Sequence, residues 1–104
     1  MTVIAFLSVA PVVEDSMASE VAAAVEALEA FDVSYETTPM GTTIEADDAG
    51  ELFAAAEAAH GAVDADRVST VLKVDDKRAS SEGAAEKVEA VADELGREPT
   101  SDPD

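Results

Sequence analysis

The chain has 104 residues, no cysteine and a formal net charge of −18, from 24 acidic against 6 basic side chains. That length sets one domain with a modest core, and the missing cysteine excludes disulfides, thiol nucleophiles and Cys-based zinc or iron–sulfur sites. The acidic balance excludes nucleic acid and anionic membrane surfaces as partners, because both need clustered Lys and Arg.

Hydrophobic residues make up 47% of the chain and recur with clear periods, which argues against disorder. Carboxylates spread over every predicted helix, three lysines in all and many helix alanines fit a protein adapted to high salt, as in the acidic proteome of a halophilic archaeon. At molar salt the Debye length is about 3 Å, so such a surface stops repelling itself. A second reading gives the charge the task of steering a cationic ligand. No apolar run approaches the ~18 residues of a membrane-spanning helix. The start Met1-Thr2-Val3-Ile4 lacks the basic residues of a signal peptide, so the expected location is the cytoplasm.

In chain order, Thr2 to Ala10 is apolar on both faces, with Val3, Ala5, Leu7 and Val9 on one and Ile4, Phe6, Ala10 and Ser8 on the other. A half-solvated strand alternates apolar with polar, so this one is predicted to be central and covered on both sides, ending at Pro11. Ser16 has N-cap chemistry for a helix to about Ala30, with the stripe Met17, Val21, Ala24, Val25 and Leu28. Val33 to Thr38 and Thr42 to Ala46 form a hairpin around Thr38-Pro39-Met40-Gly41, where Pro suits the second position of a type I turn and Gly the fourth.

Asp48 caps a second helix, with Glu51 completing a capping-box pattern, Leu52, Phe53, Ala56 and Ala59 on the buried side and Gly61 just past the end. Arg67 to Asp75 is the fourth strand; Val68, Leu72 and Val74 share one face, and Ser69, Val71, Lys73 and Asp75 the other. A last helix runs from about Ser81 to Leu95 with the stripe Val88, Val91 and Leu95 and Gly96 as its stop. Residues 1–96 thus make one domain, and 97–104 an acidic tail expected to fray.

The order β-α-β-β-α-β plus a helix predicts an α+β, ferredoxin-like βαββαβ fold with an additional C-terminal helix on a four-stranded antiparallel sheet. Two helices cover one face. The other face carries Ile4, Phe6, Val71 and Lys73, and a second subunit is its expected cover, so these four are the candidate oligomer interface. The alternative is a monomer whose third helix folds across that face.

His60 is expected to cap the second helix at its C-terminal carbonyls. With no second His and no Cys, no metal site is expected. Nor is any nucleophile motif or phosphate-cradling glycine loop traceable, so the chain does not read as an enzyme and no cofactor is expected. Asp75-Asp76-Lys77-Arg78 reads as a solvated strand end with locally paired charges.

These pieces resemble the small thiamine-binding, YkoF-like family of ferredoxin-like proteins. The likeness is carried by the opening strand through Ser8, Val9 and Pro11, the hairpin Tyr35 to Asp47 with its Pro39-Met40-Gly41-Thr42 core, and the pair Ala59-His60. The strand end Val74-Asp75-Asp76-Lys77-Arg78 and the helix segment Glu86-Lys87-Val88-Glu89 complete it, over nearly the whole chain up to Leu95. Phe6 and the short loop Val12-Val13-Glu14-Asp15 depart from the family's pattern. The resemblance implies a homotetramer, as a dimer of dimers, that binds thiamine or its hydroxymethyl-pyrimidine moiety reversibly and without chemistry, as carrier, buffer or sensor.

An aminopyrimidine joined to a cationic thiazolium needs hydroxyls, a carboxylate and an apolar or thioether wall. Ser8, Glu36, Thr38, Met40, Gly41, Thr42, Thr43 and Glu45 are therefore the candidate ligand contacts. Glu36 and Thr38 share one strand face, and Thr43 and Glu45 share one on the partner strand. Which hairpin face meets Ser8 depends on the register. The same cluster also fits a subunit contact or a plain solvated strand pair, the second reading being a structural or regulatory homo-oligomer without a small ligand.

Overall fold

Strand β1 (Thr2–Pro11) alternates buried with half-buried residues, and the rest of the fold is arranged on its two faces. The structure is a computed structural model describing residues 2–103. After β1 come α1 (Ala18–Leu28), β2 (Ser34–Thr38), β3 (Gly41–Ala46), α2 (Ala49–Gly61), β4 (Val68–Lys77) and α3 (Ala84–Leu95). The strands form one antiparallel sheet in the order β2-β3-β1-β4, the ferredoxin-like arrangement with β1 and β3 at the centre.

Helices α1 and α2 pack on each other and on one face of the sheet. Val3, Ala5, Leu7 and Val9 of β1, Ile44 and Ala46 of β3, Ala24 and Leu28 of α1, and Leu52, Ala55, Ala56 and Ala59 of α2 make the core there. Leu28, Ile44, Leu52 and Val3 are the largest side chains in it with essentially no exposure, each worth about 1.5–3 kcal/mol of burial. Alanine at three of the four α2 positions lets that helix lie close on α1 and the sheet.

Several local expectations are corrected. Met17, not Ser16, holds the N-cap position of α1, although the Ser16 hydroxyl accepts from Ala18 N at 3.3 Å, one residue short of the usual N2 or N3 partner. Asp48 caps α2 through Gly50 N at 3.2 Å, but no capping box closes: Glu51 Oε1 accepts instead from Asp32 N at 3.0 Å and ties α2 to the loop before β2. Gly61 is the last residue of α2 rather than the one after it.

Phe53 is 52% exposed. The buried stripe is Leu52, Ala55, Ala56 and Ala59, an i, i+3, i+4, i+7 set that leaves position 53 about 100° round the helix. His60 does sit in the last turn of α2, but its ring bonds sideways, Nδ1 lying 2.6 Å from the Thr70 hydroxyl of β4, rather than to helix carbonyls. Strand β4 runs two residues past Asp75, to Lys77, and α3 starts at Ala84 rather than Ser81.

Gly96 takes a left-handed φ of 76° and ends α3, as its sequence position predicts. Beyond it, Arg97 turns back on its own segment, its Nη1 donating to the carbonyls of Glu98 (3.1 Å) and Thr100 (3.4 Å).

Candidate functional site

The register settles which hairpin face meets β1. Phe6 pairs with Thr43 on one side and Lys73 on the other, and Thr43 pairs in turn with Glu36. Lys73, Phe6, Thr43 and Glu36 therefore form a single row straight across the sheet, on the face that α1 and α2 leave open. The next row reads Asp75, Ile4, Glu45 and Ser34. Ser8, opposite Val71, shares this face by the period of two.

The N-terminal half of α3 lies over these rows. Glu45 Oε1 accepts from Ala84 N at 3.3 Å, placing a carboxylate at the positive end of the helix. Gly83 makes that approach possible, since a Cβ there would stand 2.1 Å from Glu45 Oε1. Glu86 closes back on Gly83 N at 3.2 Å. On the other side Lys87 Nζ binds Asp75 Oδ2 at 2.5 Å, and Lys77 Nζ binds Glu82 Oε1 at 2.6 Å. Hydrogen bonding to Lys87 holds the Asp75 carboxyl below its ordinary range. Lys77 likewise lowers Glu82, and Glu82 raises the Lys77 ammonium.

This gives the third helix a place that the length of its stripe did not reveal: it covers part of the open face. No residue of α3 is buried, and Val88, Val91 and Leu95 are each about half exposed. Two open recesses remain beneath and beside it. One, of about 320 Å³, is lined by Ser34, Tyr35, Glu36, Thr43, Glu45, Ala84, Ala85 and Val88. The other, of about 440 Å³, is lined by Ile4, Phe6, Thr43, Lys73, Asp75 and Lys87 among others. Thr43 belongs to both.

Of the candidate contacts, Glu36, Thr43 and Glu45 are brought together in the first recess. Glu36 is exposed and makes no hydrogen bond or ion pair with another described residue, whereas Glu45 is committed to α3. Thr38 serves the turn: its hydroxyl donates to Gly41 O at 2.8 Å and accepts from Met40 N at 3.3 Å. Pro39 and Met40 both have negative φ, as a type I turn requires, and Met40 is 80% exposed.

Gly41 does more than suit a turn. A side chain there would meet Phe6 Cζ at 2.5 Å, so the glycine makes room for the Phe6 ring against the sheet. Thr42 is separated from the others by the sheet itself; it is buried on the helix-covered face, 3.1 Å from the Thr37 hydroxyl. Ser8 lines neither recess.

Ser34, Tyr35, Ala84 and Ala85 join the first recess without having been named as ligand contacts from the sequence, and Val88, read there only as part of the helix stripe, joins them. The available signal was Gly83, a small residue between Glu82 and a helix start, which admits a close approach. Ile4, Phe6 and Lys73, read from sequence as a subunit contact, line the second recess. Among the described residues no group of three or more His, Asp or Glu is placed to hold a metal ion, and no helix is long and apolar enough to cross a membrane.

Chemically the first recess offers the free carboxylate of Glu36, the hydroxyls of Ser34 and Thr43 and an apolar lip, with the Tyr35 hydroxyl already donating to Glu29, and it is suited to a ligand with positive charge and hydrogen-bonding edges. Comparison with known proteins gives the family and the fold. The family model described as thiamine-binding protein matches residues 5–92. A UPF0045 protein of Methanothermobacter thermautotrophicus is 49% identical over 83 residues, covering 77% of this chain and 84% of that one. A crystal structure from Methanocaldococcus jannaschii superposes with a TM-score of 0.80 at 32% identity, covering 88% of this chain and 96% of that one. A Thermotoga maritima protein, described as a candidate for thiamine biosynthesis or salvage, shares the fold with a TM-score of 0.75 at 24% identity, covering 88% and 99% of the two chains.

Proposed function

The chain belongs to the thiamine-binding protein family, and from that premise we propose that it binds thiamine or its hydroxymethyl-pyrimidine moiety reversibly, without catalysis, as a cytoplasmic carrier, buffer or sensor. The observation that carries the reading is the pair Glu36 and Thr43, paired across β2 and β3 and facing the 320 Å³ recess. Glu36 supplies the negative charge for a cationic ligand and Thr43 a hydroxyl that donates or accepts. Val88 and Ala85 form the apolar lip against which a flat ring rests.

The working form in this proposal is a homotetramer, a dimer of dimers. Val71 is 58% exposed on the open face, and the α3 stripe Val88, Val91 and Leu95 is uncovered. A second copy that covered these exposed apolar side chains would remove them from water. Of the expected contact set, Val71 is proposed for that role, while Ile4, Phe6 and Lys73 line the second recess. Spread carboxylates and the charge of −18 suit such an assembly to a salt-rich cytoplasm.

Isothermal calorimetry in molar potassium chloride, with thiamine and hydroxymethyl-pyrimidine in parallel, tests the reading. Saturable binding that Glu36→Gln or Thr43→Ala weakens, in an assembly of unchanged size, is the expected result. Folded protein that responds to neither compound rejects it. The exposed stripe favours one second reading, an oligomer with a structural or regulatory role and no small ligand. In that case Val91→Asp abolishes assembly and no ligand-binding signal exists to lose.

A further inference from the structure

We infer that the second recess is a subsite for a phosphate monoester, so that the preferred ligand is the phosphorylated form of the cationic molecule bound next door, with Lys73 as the residue that selects it. The inference rests on the proposed binding reading and names the ligand class more closely.

The row across the open face is polar in a directional sense. It runs Glu36, Thr43, Phe6, Lys73, from a free carboxylate at one end to an ammonium at the other. Three interstrand spacings of about 4.8 Å separate the ends, or roughly 14 Å between backbones. That is the scale of two linked rings with a short arm ending in phosphate. The two recesses share Thr43, so one extended molecule laid along the row enters both.

Charge placement makes the same point. The chain has three lysines, and Lys73, Lys77 and Lys87 all act on the one carboxylate Asp75. Salt adaptation explains why lysines are few; it does not explain why all of them gather at one corner. Lys77 is paired with Glu82 and Lys87 with Asp75. Lys73 enters none of the ion pairs among the described residues, and with Lys87 and Asp75 it leaves the recess with a net charge of +1 in a chain of −18. Phe6, its neighbour in the row, supplies an apolar floor between the two polar ends, its ring occupying the space that a Cβ on Gly41 would take. A doubly charged phosphate placed here meets an ammonium with free donors. An uncharged hydroxyl in the same place gains far less.

Calorimetry on the full chain in molar potassium chloride, with thiamine, its phosphate monoester and inorganic phosphate as titrants, tests the inference in wild type and Lys73→Gln. The wild type is expected to bind the ester about tenfold more tightly than thiamine. Lys73→Gln should remove that preference and leave thiamine affinity unchanged. Inorganic phosphate should compete with the ester but not with thiamine. Lys73 is exposed, so the variant should fold; circular dichroism and sedimentation confirm that the same species is compared. Equal affinity for ester and thiamine in wild type overturns the inference while leaving the binding reading intact. So does a Lys73→Gln variant that loses assembly yet keeps the preference, since Lys73 is then a subunit contact. Absence of binding by any titrant defeats both readings.

Discussion

Glu45 reaches from the centre of the sheet to the start of the last helix, where its Oε1 accepts from Ala84 N at 3.3 Å. One side chain thus belongs at once to the wall of the first recess and to the anchor of α3. Losing a favourably placed carboxylate at a helix N-terminus costs about 0.3–1 kcal/mol. Glu45→Gln should therefore raise amide exchange across Ala84–Leu95 without altering exchange in β1 and β3. Gly83→Ala should do the same, because its Cβ would stand 2.1 Å from the carboxylate. Unchanged α3 exchange in both variants would show that the contact does not anchor the helix.

Acid should release the same helix by another route. Asp75 and Glu82 have carboxyl pKa values lowered by their lysine partners, so their contribution is present above the ordinary carboxylate range and lost as pH falls through the depressed values. Lys77 is raised by Glu82, so its share holds below the ordinary lysine value and goes only as alkali passes the raised one. Docking of α3 should then be level between about pH 5 and pH 10 and weaken below about pH 4. Both pairs are substantially solvated, so salt should shrink the effect. Amide exchange of α3 against pH would show the step, and its persistence in Lys87→Gln with Lys77→Gln would contradict this origin.

Adjacent residues of α2 should differ widely. Leu52 is fully buried, and Leu52→Ala should cost about 2–5 kcal/mol. Phe53, the larger side chain, is 52% exposed, and Phe53→Ala should stay within about 0.5 kcal/mol. Urea unfolding of both variants in molar potassium chloride measures the contrast. Similar losses would place Phe53 in a subunit contact.

Salt itself is the fourth lever. Every copy brings a charge of −18, and in dilute buffer that repulsion acts over tens of ångströms. The proposed tetramer should dissociate or loosen in ~0.01 M salt and re-form in molar potassium chloride, as sedimentation would record. A tetramer unchanged by dilution of salt would remove the case for salt adaptation.

The elements were legible because each rests on local information. The apolar run of β1 ended by Pro11, the Pro39 turn, Asp48 before α2 and Gly96 after α3 each leave a pattern or a punctuating residue in the chain. The ferredoxin-like order follows from counting them, since connection rules leave few ways to fold it. Phe53 misled because a large apolar residue beside Leu52 looks buried until the helix is turned and alanines are seen to fill the stripe. Glu51 misled because a capping-box pattern competes with any nearer donor, here Asp32 N.

By itself, then, the chain determined the sheet, the two helices behind it and an acidic surface, all consequences of short-range periodicity and composition. Only the tertiary structure decided which hydroxyls and carboxylates meet. Register sent Thr43 and Glu36 to the open face and Thr42 to the closed one, a distinction of one residue that reverses the face. Likewise the position of α3 depends on Glu45 reaching Ala84, 39 residues on, and Asp75 reaching Lys87, 12 residues on, and no local pattern encodes contacts of that range.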